Sequence, residues 1–133
     1  MWDLANDETS HKLINEFYTH SKIIAAVCHG PAALASVKLP SGEYLISGQP
    51  VTGFSDTEED TVGLSPVMPF MLEDRLNANS GGKYSKAKSD WAEHVVVARG
   101  GRLITGQNPA SAGATGKAIY DAIFGQLTTA DEV

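Results

Sequence analysis

Ile23-Ile24-Ala25-Ala26-Val27-Cys28-His29-Gly30-Pro31-Ala32 is the stretch that decides the fold. Five apolar residues in a row after Lys22 read as a strand covered on both faces, the signature of a parallel sheet. The run stops at Cys28-His29-Gly30-Pro31, and Ala32 to Val37 reads as a helix with Pro31 in its first turn. A buried strand feeding a helix belongs to the α/β class.

The turn itself carries chemistry. Small-x-nucleophile-x-Gly is the pattern of a strand-to-helix elbow whose central residue adopts a strained conformation. Ala26 and Gly30 fill the flanking places, where neighbouring backbone comes too close for larger side chains. Cys28 fills the centre, at a helix N-terminus that favours a thiolate. A lone Cys is ordinarily a small buried hydrophobe. An apolar run, a small residue, Cys, Gly and a helix-starting Pro in that order argue for a nucleophile instead. His29 follows directly and can accept the thiol proton or pair with the sulfur's charge. Such a His needs an acceptor to orient it. Asp56-Thr57-Glu58-Glu59-Asp60 supplies candidates, and periodicity leaves open which carboxylate turns inward.

Outward from this turn, Asp7 to His20 has apolar residues at Leu13, Ile14, Phe17 and Tyr18, a helix with one apolar stripe and an N-cap at Asn6 or Asp7. Short strands are expected at Tyr44–Ile46 and Gln49–Gly53, separated by Ser47-Gly48. Ser55-Asp56-Thr57-Glu58 has the form of a capping box and should open a helix. Ser65-Pro66 should open another, running through Met68, Met71, Leu72 and Leu76. Asn77 to Ser89 is a polar surface loop. His94–Ala98, the turn Gly100-Gly101 and Arg102–Thr105 form a hairpin. Ser111 onward is helical, with Ile119, Tyr120, Ile123 and Phe124 on one face and a frayed tail at Thr128–Val133. Strand and helix alternate without a linker or repeat, so residues 1–133 make a single domain.

The bulk properties exclude several functions. With 133 residues the chain suits one core. A formal charge of −6 with no basic stripe speaks against a nucleic-acid partner. No stretch of apolar residues is long enough to span a bilayer, so no membrane role is expected. The acidic start Met1-Trp2-Asp3-Leu4 is unlike a signal peptide, and a single Cys forms no internal disulfide; both point to the cytoplasm. His11, His20 and His94 lack metal-ligand spacing with one another or with Cys28.

Four motifs together resemble the ThiJ/PfpI superfamily, related to class I glutamine amidotransferases. They are Ala25-Ala26-Val27-Cys28-His29-Gly30-Pro31-Ala32, Val51-Thr52-Gly53-Phe54, Glu73-Asp74 after Val67-Met68-Pro69-Phe70, and Thr105-Gly106-Gln107-Asn108-Pro109-Ala110-Ser111. The branch most similar is that of heat-shock chaperones and glyoxalase III enzymes. The resemblance implies a flavodoxin-like α/β sandwich on a mostly parallel sheet. It implies Cys28 as nucleophile, His29 as its partner and Glu59 as the acid, with Glu58 the alternative if the register slips. It implies conversion of methylglyoxal to D-lactate, an activity also named D-lactate dehydratase, without glutathione, metal or organic cofactor.

The same resemblance implies an N-terminal truncation: family members carry further strands and a Gly-His-Gly oxyanion loop before the position of Met1. Losing such donors costs about 3–4 kcal/mol each in transition-state stabilisation, so Cys28 is expected to be well shaped yet impaired. Two other roles stand beside the enzyme acting on small α-oxoaldehydes. One is a stress-response holdase, protein deglycase or redox sensor using Cys28. The other is an inactive fragment completed by another chain. A homodimer is the assembly usual in the family.

Overall fold

A computed structural model of the chain describes residues 1–131. The first helix, α1 (Glu8–Thr19), begins where Asp7 Oδ2 accepts the Ser10 N–H at 2.8 Å, and Glu8 adds a negative charge to its first turn. It leads through Ser21, at φ 59°, into strand β1 (Ile24–Val27). Strands β2 (Val95–Ala98) and β3 (Leu103–Gly106) form the expected hairpin, joined by a turn at Arg99–Gly101. Both glycines there have positive φ, 64° at Gly100 and 92° at Gly101, a conformation that Gly adopts without steric cost.

The sheet order is β1-β3-β2. Strand β1 pairs in parallel with β3, Ile24 opposite Leu103 and Val27 opposite Gly106, while β2 pairs antiparallel with β3. Helix α4 (Ala112–Asp131) packs against all three strands. Of the expected frayed tail, Thr128–Asp131 continue this helix, and residues 132–133 lie outside the described residues.

Four expectations from the sequence need correction. Strand β1 is an edge strand among the described residues, with Ala25 exposed, so its apolar run is not covered on both sides. The segment after Pro31 is a 3-10 turn (Gly30–Ala33), not an α-helix. Six residues between the elbow and the bridge at Lys38–Tyr44 are too few to propagate an α-helix against its nucleation cost. The strands expected at Tyr44–Ile46 and Gln49–Gly53 are loops, each with one isolated bridge, Lys38–Tyr44 and Val51–Tyr84. Their apolarity reports burial: Leu45, Ile46 and Val51 have no exposed surface. Finally, the helix from Ser65 is two elements, a 3-10 turn (Ser65–Val67) and an α-helix at Leu72–Asn79. Pro69 offers no N–H and forces Met68 into extended backbone, ψ 138°, which breaks the run.

Two further short helices pack against each other. The first of them, α2 (Asp56–Val62), has the full capping box: Ser55 Oγ accepts Glu58 N–H, and Glu58 Oε1 accepts Ser55 N–H. The second, α3 (Leu72–Asn79), buries Leu72 and Leu76 against the loop at Gly53. A Cβ at Gly53 would lie 2.8 Å from Leu76 Cδ1. Gly106 is tighter still, because its Cβ would collide with Thr115 Oγ1 and come within 3.0 Å of Val27 Cγ2. Gly106→Ala should therefore destabilise the fold by about 1–3 kcal/mol, seen as a lower urea midpoint with an unchanged slope.

Candidate active site

Cys28 sits at φ 64°, in the left-handed region that costs a non-glycine residue about 1–2 kcal/mol. Two hydrogen bonds hold it there. Its N–H donates to Gly106 O at 3.0 Å, continuing the β1–β3 ladder, and its C=O accepts Phe54 N–H at 2.9 Å. The small residues are needed as expected, since a Cβ on Gly30 would lie 3.3 Å from Ala26 Cβ. A single 3-10 turn follows, so the neighbouring imidazole, more than a helix dipole, is the sulfur's electrostatic partner.

Cys28 Sγ lies 3.6 Å from His29 Nδ1, and His29 Nε2 lies 2.6 Å from Glu59 Oε2. The imidazole therefore bridges a half-buried thiol and a carboxylate that is only 3% exposed. Its pKa is raised to about 8, chiefly by the hydrogen bond to Cys28, against the opposing effect of burial, with Glu59 adding both a hydrogen bond and its charge. The folded value exceeds the unfolded one, so this contribution to stability is complete below about pH 6.5 and is lost as pH rises through about 8. Removing the largest raising cause in Cys28→Ala should move the His29 midpoint down toward 6.5, measured by NMR of the ring protons.

The two neighbouring glutamates part company. Glu59 faces His29, and its Oε1 finds no hydrogen-bond partner among the described residues. Glu58 points into the protein. Its Oε1 accepts Ser55 N–H, Ser55 Oγ–H and Gln107 Nε2–H, and its Oε2 accepts Trp91 N–H and Asn108 Nδ2–H. Burial pushes its pKa up, but the two amides and two backbone N–H groups outweigh it and leave the value below the ordinary one. Adjacent helix positions point about 100° apart, which is why one glutamate reaches the imidazole and the other the interior.

The Glu58 network was not legible in the sequence. Its partners in Gln107-Asn108 stand in a motif already singled out, but only folding brings that motif to α2. Phe54 was similarly missed as a neighbour of the imidazole: its ring centre lies 4.4 Å from that of His29.

Beside His29 lies a cavity of about 340 Å³, within the usual range for small ligands, lined also by Met1–Leu4, Gly30, Ala32 and Ala33. Among the described residues, one group could approach a cation: Asp56, Glu73 and Asp74, with oxygens within 4.8 Å of one another. Burial raises the Asp56 pKa to about 7, helped by the hydrogen bond its protonated form gives to Asp74 and by the charges of Glu73 and Asp74. The remaining histidines are engaged elsewhere: His11 with Ala5 O, His20 with Glu16 O and His94 with Ser85 Oγ. Among the described residues, no helix is long and apolar enough to cross a membrane.

No protein-family model matches the chain. Glyoxalase 3 of Candida albicans is 31% identical over 126 residues, covering 92% of this chain and 52% of that protein. Glutathione-independent glyoxalase HSP31 of Saccharomyces cerevisiae is 31% identical over 128 residues, covering 92% and 53%. Among solved structures, the Rapid Encystment Protein 24 kDa of Francisella tularensis superposes with a TM-score of 0.84 at 43% identity, covering 91% of this chain and 52% of that one. The chain spans about half the length of the curated relatives it matches. Over about nine-tenths of its own length, then, the chain is similar to glyoxalase-named proteins and to ThiJ/PfpI-type structures, and it shares their flavodoxin-like α/β frame.

Proposed function

We propose that Cys28, His29 and Glu59 form the reaction centre of a glutathione-independent glyoxalase acting on small α-oxoaldehydes, with methylglyoxal converted to D-lactate. The observation that carries this reading is the unbroken contact chain from sulfur to imidazole to buried carboxylate, 3.6 Å and then 2.6 Å. The names of the glyoxalase relatives support the same substrate class.

The chemistry balances without an external oxidant. The Cys28 thiolate adds to the aldehyde carbon, forming a C–S bond and a hemithioacetal. His29 removes the hydrogen of that carbon as a proton and returns it to the adjacent carbonyl carbon. One carbon is thereby oxidised to a thioester while its neighbour is reduced to an alcohol. Water then cleaves the thioester, releasing the hydroxy acid and the thiol. Glu59 holds the imidazole and stabilises its protonated form. The test is chiral analysis of lactate formed from methylglyoxal by the parent chain and by Cys28→Ala. Cys28-dependent D-lactate supports the proposal, and equal rates in both proteins would overturn it.

A second reading rests on the sheet edge. Strand β1 is unpaired on one side, and beside it a groove of about 230 Å³ is lined by Leu13, Ile14, Phe17, Ile23, Ile24 and Ala25. Helix α1 buries none of its residues fully, and Leu13 and Phe17 are exposed. An apolar parallel edge is a site for strand addition. In this reading the sheet is completed by another chain or by a second copy. Sedimentation of the pure chain would discriminate: a monodisperse monomer at micromolar concentration speaks against it.

A further inference from the structure

Trp91 is the second non-glycine residue near the site held at strongly positive φ, 66°, an uncommon conformation for a bulky aromatic side chain. Such strain persists only where surrounding contacts impose it, and here three hydrogen bonds do so. Glu58 Oε2 accepts Trp91 N–H at 2.9 Å, Thr57 Oγ1 donates to Asp90 Oδ1 at 2.8 Å, and Asn108 Nδ2 donates to Ala92 O at 2.7 Å. The segment Asp90–Ala92 is thus pinned to α2 and to the residue pair following β3.

The consequence lies at the other end of the side chain. The Trp91 indole meets the Phe54 ring edge-on, centres 5.6 Å apart at 65°, and Phe54 in turn lies against His29, centres 4.4 Å apart at 38°. Edge-to-face aromatic contacts at such separations are favourable and directional. Phe54 N–H also donates to Cys28 O, so a shift of Phe54 would disturb the elbow and the imidazole together. Trp91 is itself 41% exposed, more than a residue needed only for core packing requires.

We infer that Trp91 is a positioning residue: clamped by Glu58, it holds Phe54 against His29 and so keeps the imidazole aligned between Cys28 and Glu59. The carboxylates on successive positions of α2 then have complementary tasks. Glu59 binds the imidazole directly, and Glu58 fixes the aromatic pair that limits where its ring can go.

This inference rests on the proposed roles of Cys28, His29 and Glu59, but its test requires no turnover. In the parent at pH 6.5, the His29 Nε2 proton shared with Glu59 should give a downfield proton NMR resonance, assigned by its loss in Glu59→Ala. Trp91→Ala should broaden or abolish that resonance while the chain remains folded by circular dichroism. Trp91→Phe, which restores an aromatic edge, should recover it. Should the alanine variant not fold, Trp91→Leu keeps apolar volume without a ring and takes its place. A sharp, unshifted resonance in a folded Trp91→Ala or Trp91→Leu would overturn the inference. Lack of glyoxalase activity in the parent would leave this readout intact, so the two failures are distinguishable.

Discussion

Glu58→Gln should destabilise the fold by about 3–5 kcal/mol, the range for breaking a buried, fully bonded charged group. The carboxylate accepts five hydrogen bonds from Ser55, Trp91, Gln107 and Asn108 and has no exposed surface. A glutamine of the same shape presents an amide nitrogen where one oxygen accepted, so donors then face donors. At least one backbone or side-chain N–H is left buried without an acceptor, which by itself costs about 1–3 kcal/mol. Urea denaturation measures the loss. The pH dependence supplies an independent check. The Glu58 pKa is depressed in the folded chain, so its contribution is present above the ordinary glutamate range and disappears as pH falls through the lower folded value. The parent should therefore lose stability on acidification more steeply than Glu58→Gln, and parallel profiles would refute the assignment.

Glu59→Gln should leave the fold nearly unchanged yet lower the proposed glyoxalase rate by roughly 10²–10⁴-fold, the usual contribution of a positioned acid–base pair. Glu59 Oε1 has no partner among the described residues, and Oε2 contacts only His29, so few structural bonds are at stake. Chemistry suffers more. With a carboxylate at 2.6 Å, the neutral form of His29 carries its proton on Nε2, so that Nδ1 faces the sulfur and is the atom that takes up a proton there. A glutamine amide turned to donate would favour the opposite tautomer, with Nδ1–H facing Cys28, and would remove a negative charge that stabilises the imidazolium. The expected result is a large fall in kcat with a small change in melting temperature. A rate within about threefold of the parent would remove Glu59 from the mechanism.

The chain alone determined the elbow, because its physics is local. An apolar run, small residues on either side of Cys28, and Pro31 specify a strand, a sharp turn and a restart within ten residues, and the structure follows that order. The capping box at Ser55 and Glu58 and the β2–β3 hairpin were legible for the same reason. Apolarity by itself does not specify secondary structure. Leu45, Ile46 and Val51 are buried by neighbours distant in sequence, and burial alone does not require a ladder of backbone bonds.

Tertiary structure decided everything that depends on direction across long sequence separations. His29 and Glu59 are thirty positions apart, and Glu58 meets Asn108 across fifty. Residue spacing within α2 places its two glutamates on different sides, but cannot say which side meets the imidazole. That choice is made by the register of β1 against β3 and by the way Gly53 lets α3 approach, since these set how α2 is presented to the elbow. Side-chain identity sufficed to single out Cys28; which carboxylate lies against His29 is decided by the packed chain.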